Sequence, residues 1–69
     1  MRETGRIKAY YPNPKGYGFI RRQGCPDIFF HFREVRADQD AIQEGMLVEF
    51  ETARDKSGRP AATEVTLVG

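Results

Sequence analysis

The plainest alternation in the chain runs from Met46 to Glu51. Met46, Val48 and Phe50 point one way; Leu47, Glu49 and Glu51 point the other. A period of two marks a half-buried strand, and one is expected over Met46–Arg54. Four more apolar runs lie between turn signals. The first, Thr4–Tyr11, stops at Pro12-Asn13-Pro14, because proline lacks the N–H that a ladder needs. The second, Gly16–Arg22, leads into Gln23-Gly24-Cys25-Pro26, where glycine is free to take positive φ. The third is Asp27–His31. The polar and acidic stretch Phe32–Gly45 reads as a surface loop with a helical turn near Phe32–Val35. After the turn Asp55-Lys56-Ser57-Gly58, a last strand is expected over Pro60–Leu67, with Val65 and Leu67 on one face. Five short strands at this spacing predict an all-β fold, a small antiparallel five-stranded barrel that leaves few free edges.

The second and third strands carry more rings than a core requires. Between Lys15 and Phe32 stand four of the five phenylalanines, the single histidine and Tyr17. Alternation puts Ile28, Phe30 and Phe32 on the more apolar face of the third strand, so Phe29 and His31 face outward. The second strand is ambiguous by itself, and register decides it. With Gly24 at the centre of the loop, Phe19 lies opposite Phe29 and Tyr17 opposite His31, while Ile20 turns inward. A slip of one residue sends Tyr17 and Phe19 into the core instead. In the first strand Ile7 is expected inside, which places Lys8 and Tyr10 beside the outward rings. The outcome is an exposed platform of Tyr17, Phe19, Phe29 and His31, rimmed by Lys8, Lys15 and Arg21. Exposed aromatic patches usually serve binding. Rings interleaved with cations suit single-stranded nucleic acid, because bases stack on rings while the basic rim follows phosphates.

Charge sharpens this picture. Sixty-nine residues with a net charge of +1 say little, but the distribution is uneven. Residues 1–36 hold eight basic and three acidic residues, a balance of +5; residues 37–69 hold three and seven, a balance of −4. The aromatic half is the basic half, which points to a polyanion on one side of a single domain over residues 1–69. One cysteine, Cys25, excludes an intrachain disulfide framework, and with His31 as the only other soft ligand it excludes a structural zinc site. A reduced cytoplasm is the expected compartment. Neither a membrane span nor a signal-peptide core is present in the sequence. No cofactor is expected, and a phosphate-loop motif is absent. Catalysis is not expected, because the carboxylates sit away from the rings and one histidine has no acid–base partner.

The residues Lys15-Gly16-Tyr17-Gly18-Phe19-Ile20 resemble the first ribonucleoprotein motif of the cold-shock domain, and Ile28-Phe29-Phe30-His31-Phe32 resembles the second. Gly5-Arg6-Ile7-Lys8 is similar to that family's first strand. Glu44-Gly45, Pro60-Ala61-Ala62 and Val65 match later landmarks. The resemblance covers nearly the whole chain. It implies a five-stranded OB-type barrel, binding of single-stranded RNA and DNA with a leaning to pyrimidine-rich strands, and the register with Phe19 opposite Phe29. Carried over by position, it implies nucleic-acid contacts for Lys8, Lys15, Tyr17, Phe19, Phe29, His31 and Phe32. Phe32 has two assignments, since alternation makes it core. Arg21 and Arg59 are candidate phosphate contacts, Arg59 because its loop reaches toward the ligand.

Three departures accompany the resemblance. Where the family usually has tryptophan after the lysine of strand one, this chain has Ala9, followed by Tyr10 and Tyr11. The loop Pro12-Asn13-Pro14 is one residue longer than usual, so either Tyr10 or Tyr11 substitutes through a shifted register. The stretch Arg36–Gln43 has no aromatic where many members carry one. Each departure removes a stacking surface, and weaker or shorter binding than in a typical member is expected. The expected protein is a monomer that acts as an RNA chaperone or cold-shock regulator, with neither a membrane nor a small molecule as partner. The alternative is a protein-interaction module that uses the same aromatic face.

Overall fold

The five runs of alternating residues become five strands, and their ends move by a residue or two. The computed structural model describes residues 2–12 and 14–68; Asn13, the middle of the first turn, lies outside them. The strands are β1 (Glu3–Tyr11), β2 (Tyr17–Arg21), β3 (Ile28–His31), β4 (Leu47–Arg54) and β5 (Pro60–Leu67). They close into a barrel in the order β1-β2-β3-β5-β4, with β4 returning to β1. Most seams are antiparallel, as expected. The seam between β3 and β5 is parallel, through Phe29 and Ala61, and this corrects the all-antiparallel expectation. A parallel bridge from Val35 to Val65 extends it. The connection between these two strands is long and includes β4, which is the kind of crossover a parallel pair requires.

The inward residues of the strands form one core. Ile7, Ile20, Ile28, Phe30, Val48, Phe50, Ala62 and Val65 are fully enclosed, and Val35 and Ile42 close it from the long loop. The hairpin register is the one expected from the central Gly24: Tyr17 faces His31, and Phe19 faces Phe29. Gly18, opposite Phe30 in that ladder, is needed for its size. A Cβ there would run into the carbonyl oxygen of Ala9 and sit 2.9 Å from the edge of the Phe30 ring. At Gly16 the backbone itself is left-handed, with φ of 71°, and a Cβ would meet the Phe32 ring at 2.7 Å.

Two strands break strict alternation. In β1 the pairing with β2 skips from Ile7↔Ile20 to Ala9↔Phe19, so Lys8 is the extra residue of a bulge. In β5 a second bulge lies between the pairs Glu49↔Thr66 and Glu51↔Thr63. There Glu64 takes a positive φ of 49°, and the buried positions on either side, Ala62 and Val65, are three apart rather than two. Polar contacts hold this kink. Arg2 donates to the Glu64 carbonyl at 2.9 Å, and the Glu64 carboxylate pairs with Arg36 at 2.7 Å.

Candidate nucleic-acid interface

Four rings make a continuous strip across β1, β2 and β3. Centroids lie 5.4 Å apart for Tyr11 and Tyr17, 5.6 Å for Tyr17 and Phe29, 6.2 Å for Tyr17 and Phe19, and 6.1 Å for Phe19 and Phe29. These spacings are those of offset and edge-to-face ring pairs. The rings of Tyr17, Phe19 and Phe29 are half-buried, packed at the base and open above; Tyr11 is 43% exposed. His31 sits across the ladder from Tyr17, and its ring lies 4.8 Å from that of Phe32.

Tyr10 departs from expectation. The bulge at Lys8 shifts every later residue of β1 to the opposite face. Tyr10 therefore turns inward over Gly18 and stacks on the buried Phe30, at 6.0 Å and 14° between planes. Its hydroxyl donates a long hydrogen bond of 3.4 Å to Gln39. Burial pushes its phenol pKa up, and the Asp40 carboxylate adds to the effect. Tyr11 takes the outward place, opposite Tyr17. Only the insertion of Lys8 distinguishes the two tyrosines, and a lysine in a strand carries no signal of a bulge. Ala9, also outward, faces Phe19 and leaves a hollow of about 380 Å³ among Lys8, Tyr11, Phe19 and Asp27.

Phe32 is half-buried rather than core. The strand ends at His31, and Phe32 opens a 3₁₀ turn, Phe32–Glu34, so alternation no longer applies to it. His31 caps this turn: its Nδ1 accepts the backbone N–H of Arg33 at 3.2 Å. This contact orients the imidazole ring.

The cations of the rim are already engaged with their surroundings. Lys15 lies 5.6 Å from the Tyr11 ring centroid. Arg59 lies 5.8 Å from the Phe29 ring centroid, while its Nε sits 3.6 Å from Asp55. Lys8 pairs with Asp27 at 2.8 Å. Both partners are well exposed, so a competing anion can exchange into this pair. Among the described residues the Arg21 side chain makes neither a hydrogen bond nor an ion pair, and it projects from the same side of β2 as Tyr17 and Phe19. The Asp27 and Arg59 contacts were missed from sequence, because each joins a loop to a strand at a distance that spacing does not encode.

The same contacts set an acid limit. The hydrogen bond from Lys8 holds the Asp27 carboxyl below its ordinary 3.8, with further help from Lys8, Arg21 and Arg22 as charges. Asp55 is also lowered, first by its hydrogen bond from Ser57 and then by that from the Arg59 N–H. A carboxyl with a depressed folded pKa contributes stability that is full above its unfolded value and is lost as pH falls through the folded one. Melting temperature is therefore expected to be flat above about pH 5 and to fall below about pH 4. Asp27→Asn and Asp55→Asn should each flatten that acid limb. A limb unchanged in both would assign it elsewhere.

Comparison with known proteins agrees with this geometry. The family model described as the 'Cold-shock' DNA-binding domain matches residues 3–68. Cold shock-like protein CspB of Bacillus cereus is 36% identical over 93% of this chain and 98% of its own length. Cold shock protein CspB of Geobacillus stearothermophilus is 36% identical over 94% and 98%. Among solved structures, Drosophila Unr CSD456 superposes with a TM-score of 0.80 at 30% identity, covering all of this chain and 27% of that one. A matched family model over nearly every residue, full-length relatives and a barrel with rings on its outer face lead to one assignment: the chain belongs to the cold-shock domain family, a family of nucleic-acid-binding domains.

Proposed function

We propose that this protein binds single-stranded RNA and DNA by stacking unpaired bases on Tyr17, Phe19, Phe29 and His31, with Tyr11 and Phe32 extending the surface at its ends. Lys8, Lys15 and Arg59 neutralise phosphates beside the rings, Arg21 takes one further along β2 where the strand has passed Phe19, and Tyr10 stays in the core. One observation carries the reading: rings from three adjacent strands form a single open strip with cations on its borders. Every base has a π-face, so such a strip favours unpaired strands with little regard to sequence. The leaning to pyrimidine-rich strands is part of the same reading. Holding strands unpaired opposes hairpins by mass action, which is how a monomeric domain in the cytoplasm acts as an RNA chaperone or cold-shock regulator without a fuel nucleotide.

Arg59 gives this surface a moving part. A base that stacks on Phe29 displaces the guanidinium or slips beneath it, leaving the cation free for the adjoining phosphate. The test is a titration with oligothymidine and its RNA counterpart, followed by tyrosine fluorescence and NMR shifts at several salt concentrations. Three or four neutralised phosphates should give a slope of log affinity against log salt of about −2 to −3. Shifts are expected at Phe19, Phe29 and His31. Binding that ignores salt and leaves these resonances unmoved would favour an apolar protein partner instead.

A further inference from the structure

We propose that Arg6 and Arg21 form a phosphodiester clamp, which takes the backbone of the bound strand after it leaves the rings. The inference rests on the ring reading above and adds to it a site beyond the aromatic strip. Arg6 and Arg21 are direct partners in the β1–β2 ladder, and both are exposed. Like charges directly opposite each other destabilise a sheet. Of the other six arginines, Arg2, Arg22, Arg36 and Arg59 each lie within 3.7 Å of a carboxylate, and Arg33 and Arg54 pair with none among the described residues but do not face each other across a ladder. Arg6 donates only to the Gly45 carbonyl at 3.0 Å, and Arg21 has no partner among the described residues. This pair of guanidinium groups therefore keeps its donors open.

The space between them has the right lining. A hollow of about 310 Å³ is bordered by Arg6, Arg21 and Lys8. Glu44 borders it too, yet it makes an ion pair with neither arginine among the described residues. Asp27 faces the same region, pairs with Lys8 and feels Arg21 as a charge. Three cations thus share one hollow with a single carboxylate, Glu44, while Asp27 borders the adjoining hollow and is paired with Lys8. Lys8 is also a wall of the hollow beside Ala9 and Phe19, so the two hollows adjoin. Arg21 lies two residues past Phe19, about 7 Å along the strand. A nucleic-acid strand stacked on Tyr17 and Phe19 that continues in this direction brings its next phosphate between the two forks. Planar guanidinium groups suit that ligand because they present paired N–H donors to phosphate oxygens.

The experiment compares the wild type with Arg6→Gln/Arg21→Gln, using trithymidine and heptathymidine as probes over a range of salt. The clamp predicts that heptathymidine binding weakens about tenfold at low salt, with a salt slope shallower by about 0.7, the value for one phosphate of a single strand. Trithymidine, too short to span the rings and the clamp together, should bind almost as before. Arg21→Glu should raise the melting temperature by removing the like-charge pair, yet bind heptathymidine more weakly still. Unchanged heptathymidine affinity and slope would overturn the clamp, and so would an equal loss for both probes, which signals a general field rather than a placed contact. Failure of the ring reading shows separately, as undiminished binding by a ring-deleted variant that keeps both arginines.

Discussion

Replacing Phe19 and Phe29 together with alanine is expected to weaken oligothymidine binding by at least about thirtyfold while the barrel still folds. Each base stacked on a ring is worth about 1–3 kcal/mol by alanine substitution. Two rings therefore carry about 2–6 kcal/mol, and each 1.4 kcal/mol is a tenfold change. The rings face each other across β2 and β3 with centroids 6.1 Å apart, at the centre of the strip. Removing both also takes the support from under Arg59, which rests on Phe29. The fold survives because neither ring belongs to the enclosed core, which is built from Ile7, Ile20, Ile28, Phe30 and their partners. The paired measurements are a fluorescence titration and a thermal melt. A cooperative melt combined with full affinity would show that bases do not stack here.

Gly18→Ala is expected to have the largest effect on stability of any single methyl added to this chain. The new Cβ would meet the carbonyl oxygen of Ala9 on one strand and the ring of Phe30 on the other side. Neither can retreat. The carbonyl belongs to the ladder of β1, and Phe30 is wholly enclosed with Tyr10 stacked upon it. Overpacking of a tight core costs about 1–3 kcal/mol, and more when backbone must shift. A domain of this size has roughly 3.5–10 kcal/mol in total, so the loss is a large share. At about 4–8 °C per kcal/mol, the melting temperature should fall by at least about 10 °C. A drop of only a degree or two would mean that β1 can move away from β2 at little cost. Gly16→Ala carries a different cost: its steric obstacle, the half-exposed ring of Phe32, has room to turn outward, but alanine is strained at the left-handed φ of 71°.

The hairpin that carries the rings was legible in the sequence because its signals agree. A central glycine, short flanking strands and apolar residues of the right parity all support one register, and a slip would bury Tyr17 and Phe19. Alternation failed where the backbone departs from the pleat. Lys8 and Glu64 each sit at a bulge, and neither residue type advertises one. Glutamate rarely adopts positive φ, and here the kink is held by Arg2 and Arg36 from distant parts of the chain. The exchange of roles between Tyr10 and Tyr11 follows from the first bulge, as does the placement of Ala9 beside Phe19. Phe32 eluded alternation for a different reason: a 3₁₀ turn begins at that residue. The contacts of Lys8 with Asp27 and of Arg59 with Phe29 depend on tertiary approach, which a one-dimensional pattern does not hold.

The parallel seam has a consequence for folding. The edge of β3 is covered by β5, the last strand in chain order, rather than by a near neighbour. Closing that edge brings together residues about thirty apart, and such non-local pairing is slow because loop closure precedes its reward. Until it forms, the aromatic hairpin has an open strand edge, and edges of this kind favour misassembly. Refolding at high protein concentration is therefore expected to lose yield through the β3 edge first.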